Sequence, residues 1–267
     1  MKDKLDIFVF THKTPKYLPS NECYKLVVLE KDKDKINKDL NPIICTNNKE
    51  NIFEFERSYS EGSRIHYIWK NIELKEYIGT AHYRRFFDFL DNIPNLDEIF
   101  KTHDVILPKF ELWSPIYEQY KTSHNIKDFD MVIDIIKDIY PEYYEETIKN
   151  INSKDLKLCN IFIMKKDMFK KYCEFVFNIL DEYNKRMGFK NDLDVFNWVS
   201  NHIEEYCYGK SGLLYSVPYQ ARIQSFLMER IGNIFYNKNF KNPYTVELLL
   251  TEVNFEEERS VFKVYEK

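Results

Sequence analysis

The stretch Tyr77-Ile78-Gly79-Thr80-Ala81-His82-Tyr83-Arg84-Arg85-Phe86-Phe87 decides how this chain is read. Its first five residues form a short apolar run with β-rich Tyr, Ile and Thr, which predicts a buried strand. An imidazole, a phenol and two guanidiniums follow at once, then two more aromatic rings. Open α/β sheets bind ligands at the carboxyl ends of their strands. Adjacent arginines placed there suit a di-anion, because a guanidinium fork grips phosphate through two parallel hydrogen bonds. The alternative is a solvated surface turn whose arginines pair with carboxylates.

Outward from this strand, Leu5 to Phe10 reads as the first strand and delivers Thr11-His12-Lys13 to its carboxyl end. Tyr24 to Leu29 reads as a second strand, and Pro42 to Cys45 as a short third. The charged, Asp/Lys-rich segment Glu30 to Asn41 reads as a solvated loop, which makes Asp32-Lys33-Asp34 a poor metal site despite its D-x-D spelling. Ser58-Tyr59-Ser60-Glu61 has capping-box spacing and opens a helix with Ile65, Ile68 and Trp69 on one face. Leu96 to Lys101 reads as a short helix, and Asp104 to Pro108 as a strand stopped by proline.

Trp113 to His124 is aromatic and polar without clean periodicity. Within it Tyr117, Glu118, Gln119, Tyr120 and His124 combine ring faces with polar groups and form a candidate wall for a small polar ligand. The alternative is tyrosines packed in a loop. Asp128-Phe129-Asp130 precedes the apolar-periodic Met131 to Ile139 and reads as a helix cap. Leu156 to Met164 reads as a buried strand carrying Asn160, an amide that must find internal partners. Lys166 to Arg186 is a long amphipathic helix with its stripe at Phe169, Tyr172, Val176, Leu180 and Tyr183. Asp192-Leu193-Asp194 again reads as a cap.

Leu213 to Val217 leads into Pro218-Tyr219-Gln220-Ala221-Arg222 and a helix through Tyr236. Arg222, Ser225 and Glu229 share one side of it. A carboxylate beside an arginine can orient or deprotonate a hydroxyl, whereas many such pairs are structural only. Asp192 is a second candidate for the base. The tail from Asn242 alternates apolar and charged residues and reads as a helix or an edge strand.

Composition narrows the function classes. At 267 residues the chain can form one large domain, read as residues 1–240 with a C-terminal appendage at 241–267 that can continue into a longer polypeptide. Acidic and basic residues are interspersed around a net charge of −4, which argues against a nucleic-acid partner. The five cysteines form no C-x-x-C pair and are odd in number, arguing against a disulfide frame or zinc site and for a reducing cytoplasm. Neither a signal peptide nor a bilayer-length apolar run is read. With six glycines there is no G-x-G-x-x-G or Walker loop, so phosphate must be held by side chains, helix N-termini or metal.

Tyr77-Ile78-Gly79 running into His82-Tyr83-Arg84-Arg85-Phe86-Phe87 resembles the signature of the family catalogued as domain of unknown function 4422. Similar patches follow in order: Thr11-His12-Lys13, Glu61 to Asn71, Tyr117 to Tyr120 with His124, Asn160 to Lys165, and Tyr219 to Arg222 through Glu229-Arg230. The resemblance spans about residues 5 to 240. It implies a bacterial capsular or exopolysaccharide glycosyltransferase with a GT-A-like α/β fold, a mixed, mainly parallel sheet flanked by helices.

Several roles follow from the resemblance. Thr11, His12, Lys13, Glu61 and Tyr83 fall on the donor side. His82, Arg84 and Arg85 meet the diphosphate, Tyr117, Glu118, Gln119, Tyr120, His124, Asn160 and Arg222 face the acceptor, and Glu229 is the general base if the enzyme inverts configuration. GT-A enzymes usually end the strand equivalent to Tyr77–Ala81 with a metal-binding D-x-D. His82-Tyr83-Arg84 stands there instead, and a guanidinium cannot ligate a cation. The expectation is therefore a metal-independent enzyme without cofactor, with Mn²⁺ or Mg²⁺ as the alternative.

The implied partners are a nucleotide-sugar donor and a polysaccharide or lipid-linked glycan acceptor. UDP-galactofuranose, plain or N-acetylated, is the first donor to test. The implied location is the cytoplasm, with peripheral association at the inner membrane or a capsule assembly complex. A sugar-phosphate transferase and a non-catalytic saccharide- or nucleotide-binding module are the competing readings. The loop Asn47 to Phe55 lacks the Asp/Gly-rich run of relatives, which removes donor contacts expected there.

Overall fold

Strand β1 (Leu5–Phe10) is buried along its whole length, sending Leu5, Ile7 and Val9 into one apolar cluster and Phe8 and Phe10 into another, as the two-residue repeat of a strand requires. The computed structural model describes residues 3–207, 215–253 and 263–265. In it β1 lies between β2 (Tyr24–Leu29), followed outward by β3 (Ile43–Cys45), and β4 (Tyr77–His82), all parallel. The carboxyl ends of all four therefore open on one side of the molecule.

The other edge of β4 is shared. β5 (Arg85–Phe87) turns back in a hairpin with Arg85 opposite His82, so Tyr83-Arg84 is the turn. β6 (Ile106–Pro108) and β7 (Ile163–Lys165) extend the sheet beyond the Tyr77–Gly79 half of β4, with β7 antiparallel to it. β8 (Tyr244–Val246) pairs parallel with β6, β9 (Leu248–Leu250) antiparallel with β5, and β10 (Lys263–Val264) parallel with β9. The result is the expected α/β fold: a mixed sheet with a parallel centre, flanked by helices. Residues 241–267, read from sequence as an appendage, contribute strands to it.

Helices Glu61–Asn71, Ile126–Ile139, Lys166–Met187 and Ile223–Asn239 cover the face that receives Phe8 and Phe10. Gly62 brings two of them into close approach, since a Cβ there would lie 2.7 Å from the Met228 sulfur. This contact sets Glu61 and Glu229, each one residue away, near a common point.

Four readings are corrected. Leu156 to Met164 is not one strand: Leu158–Asn160 forms a 3-10 turn, and only Ile163–Lys165 is extended. Trp113 to His124 contains the helix Ile116–Ser123, and the sequence reading passed over the helix Pro141–Ile151. Glu30 to Asn41 holds two 3-10 turns, with Asp32 buried against Lys35 rather than solvated. Leu213 and Leu214 lie outside the described residues. Among the described residues no helix is long and apolar enough to cross a membrane.

Candidate functional site

Cys159 and Asn160 both adopt left-handed backbone, with φ of 66° and 50°. Asparagine tolerates that region; cysteine does so rarely, and the cost must be met by the surroundings. Here the surroundings converge on the turn. The Cys159 amide donates to Glu229 Oε1 at 2.9 Å, and its carbonyl accepts from His82 Nε2 at 2.9 Å. The Asn160 side chain donates to Glu61 Oε1 at 2.9 Å and accepts from the Tyr172 hydroxyl at 3.3 Å. The Asn160 carbonyl accepts from Thr80 Oγ1 at 2.6 Å. One turn thus ties β4, the helix of Glu61 and the helix of Glu229 together.

The two carboxylates differ. Burial opposes charge on Glu61, but the fields of His82 and Arg222 and the Asn160 amide outweigh it and hold its carboxyl below the usual range. Glu229 goes the other way. Burial raises it, with Glu61 adding repulsion, against the pull of Arg230 and the Cys159 amide. An ionised carboxylate beside one of raised basicity is the arrangement that separates a fixed charge from a proton acceptor. Burial lowers His82 to about 4, so its ring is neutral at pH 7. A backbone carbonyl cannot donate, so the His82 proton sits on Nε2. His82 therefore brings no positive charge to a diphosphate at that pH.

Glu229 does not pair with Arg222 as the helical spacing implies. Its Oε2 accepts from Arg230 Nη1 at 2.9 Å, and Arg230 Nη2 reaches Gln119 Oε1 at 2.6 Å. Arg222 donates instead to Ser60 Oγ at 2.8 Å and lies over the Tyr219 and Phe226 rings. Ser60 is itself in unusual backbone, at φ 51° and ψ −120°, and makes no side-chain cap. The capping box around Glu61 is therefore absent, which leaves its carboxylate to the Asn160 turn. Arg230, Thr80 and Tyr172 were missed by sequence reasoning.

On the donor side, Lys13 is bonded to Glu252 at 2.6 Å and lies over the Tyr83 ring, which His12 meets edge-on. Thr11 Oγ1 donates to the Lys13 carbonyl and closes the loop. Arg84 is buried in the hairpin turn and Arg85 stands on β5; burial raises the Cys159 thiol to about 12, and both guanidiniums pull against it. Arg64, one turn after Glu61, joins this group with its guanidinium 5.9 Å from the Phe10 ring. It too was not singled out from sequence.

The acceptor-side candidates divide. Tyr120 is fully buried under Arg230, Tyr117 donates to Asp130 at 2.8 Å, and Glu118 is exposed. Gln119 of that helix hydrogen-bonds into the Glu229 network through Arg230. His124 stacks on Phe226 at 3.9 Å and meets Gln220 at 3.2 Å. Asp192 accepts from the Arg57 and Ser58 amides at 2.7 and 2.8 Å, so it caps the short helix Glu56–Tyr59 and lies outside the site. Asp128, unlike Asp192, caps no helix: Asn125 caps the one it lies in, and Asp128 is buried among tyrosines. Among the described residues no three His, Cys, Asp or Glu side chains converge as metal ligands would.

The family model described as "Domain of unknown function (DUF4422)" matches residues 6–208. No curated protein matches the chain. Among solved structures it is similar to one titled "WbbM bifunctional glycosytransferase apo structure", with a TM-score of 0.70 at 20% identity. The match covers 95% of this chain and 48% of that one, so this chain spans about half its length.

Proposed function

The chain belongs to the DUF4422 family, and from that premise we propose that it is a glycosyltransferase moving a sugar from a nucleotide diphosphate to a glycan hydroxyl. The observation that carries the reading is the Cys159–Asn160 turn, which holds two carboxylates of opposite character beside His82 at the carboxyl end of β4. The likeness in fold to a chain titled as a glycosyltransferase supports it.

The donor occupies the carboxyl ends of β1 and β4, against Thr11, His12, Lys13 and Tyr83. Arg84 and Arg85 offset the charge that develops on the departing diphosphate. Glu229, fixed through both oxygens by the Cys159 amide and Arg230, takes the proton of the acceptor hydroxyl. That oxygen bonds to the anomeric carbon as the bond to the diphosphate oxygen breaks, and the nucleoside diphosphate leaves with both electrons. His82 positions the turn through its neutral ring. UDP is the proposed nucleotide, galactofuranose or its N-acetylated form the first sugar, and a surface polysaccharide the acceptor, used in the cytoplasm or at the inner-membrane face. Metal-independence is part of the proposal.

Calorimetric titration of UDP in EDTA and then in Mn²⁺ tests the donor site, and UDP release with a UDP-sugar panel tests transfer. Binding in EDTA is expected; binding only with Mn²⁺ would remove the metal-independent form. Glu229→Gln is expected to bind UDP normally and to slow transfer about 100-fold or more. Equal rates in mutant and wild type would remove Glu229 as base. UDP bound without any release across the panel would favour a binding module.

A further inference from the structure

We propose that Arg64 is the main anion anchor of the donor pocket, its guanidinium gripping the diphosphate of the nucleotide over the carboxyl ends of β1 and β4. The identity of that anion rests on the glycosyltransferase reading; the anion site itself does not.

The placement comes first. Arg64 lies in the first turn of the helix Glu61–Asn71, three residues after Glu61 and so on the same side. Glu61 is fixed by the Asn160 amide, and the Arg64 guanidinium lies over Phe10, the last residue of β1. Its charge is felt at His12 after β1, at Cys45 closing β3, and at His82 closing β4.

The second observation is that, among the described residues, this arginine makes no hydrogen bond and no ion pair. Its Nε is fully inaccessible to solvent, and among the described residues none accepts a hydrogen bond from its guanidinium. The acids within its field are engaged elsewhere. Asp32 bonds Lys35 at 2.6 Å, Glu56 bonds Lys31 at 2.5 Å, and Glu61 holds Asn160. The other cations near the site have partners too: Lys13 has Glu252, Arg222 has Ser60, and Arg230 has Glu229 and Gln119. Arg84 and Arg85 are not free either. A guanidinium with a buried Nε and no hydrogen-bond partner among the described residues is costly, and a planar fork among strand ends is met best by the oxygens of a phosphate.

Calorimetry with UDP, inorganic pyrophosphate and uridine on wild type, Arg64→Ala and Arg64→Lys tests this. Arg64→Ala is expected to weaken UDP and pyrophosphate on the order of 10- to 100-fold and leave uridine unchanged. Arg64→Lys should fall between, since it keeps the charge and loses the fork. Both variants are melted alongside, and Arg64→Lys serves as the reading if Arg64→Ala does not fold. Wild-type UDP binding that neither variant weakens overturns the inference and leaves the glycosyltransferase reading standing. Pyrophosphate held through Arg64 with no nucleoside diphosphate bound keeps the anchor and removes that reading. A wild-type protein that binds neither removes both.

Discussion

Asp128 is a buried carboxyl enclosed by tyrosine hydroxyls. It accepts from the Tyr183 hydroxyl at 2.7 Å and from Tyr206 at 3.0 Å to each oxygen. Burial outweighs those hydrogen bonds and pushes it up to about 7. A carboxyl raised on folding favours the protonated fold. Its contribution is complete below the unfolded value of about 3.9 and is lost as pH rises toward 7. Above that, the fold carries a buried carboxylate. Asp128→Asn keeps the acceptor oxygen and removes the charge. It should therefore be more stable than wild type at pH 8, by about 2 kcal/mol, with the gap narrowing as pH falls from 7 toward 4. Denaturant melts of both proteins across that range check this, and a gap that does not change with pH refutes it. The comparison must be between variants, because His82, lowered to about 4, acts with the opposite sign. Its stabilisation is complete above about 6.5 and is lost as pH falls toward 4.

At the scale of elements, β4 depends on having no side chain at its middle. A Cβ on Gly79 would lie 2.9 Å from Ile7 Cγ1 and 3.0 Å from Ile163 Cγ1, from the two strands that flank it. Gly79→Val should cost about 1–3 kcal/mol through overpacking, seen as a lower urea midpoint with unchanged slope. A midpoint equal to wild type would show that both isoleucines can move aside. That glycine sits in a stretch whose strand character is plain from sequence. So are β1, β2 and the helix Lys166–Met187, because local periodicity and burial agree there. The Cys159–Asn160 turn was hidden for the opposite reason. Its residues are apolar enough for a strand, and only contacts with Glu229, His82 and Glu61, 70, 77 and 99 residues away, turn the backbone left-handed. Glu61 and Glu229 could be singled out as carboxylates. Arg230 could not, since neighbouring helix positions do not face each other by spacing, and the Glu229 contact comes from its long side chain folding back. Asp192, the second candidate for the base, caps a helix other than its own, and spacing within its own segment does not show a partner 135 residues away.

For the whole molecule, the question is whether the chain after residue 240 is dispensable. Val246, Leu248, Leu249 and Leu250 are buried there, and β9 covers the open edge of β5. The Thr251 amide donates to the Arg84 carbonyl at 2.9 Å, and Glu252 holds Lys13 at 2.6 Å. The segment thus backs two donor-side residues while closing the sheet. Four buried aliphatic side chains at about 1.5–3 kcal/mol each amount to roughly 6–12 kcal/mol. That is comparable to the about 5–15 kcal/mol net stability of a typical domain. Deleting residues 241–267 should therefore abolish the cooperative thermal transition, rather than merely weaken nucleotide binding. Circular dichroism melts of the shortened chain decide between the two. If a chain ending at 240 melts cooperatively within a few degrees of the full one, residue 240 is a true domain boundary. The loss of UDP affinity in that chain would then be charged to Lys13 and Arg84 alone.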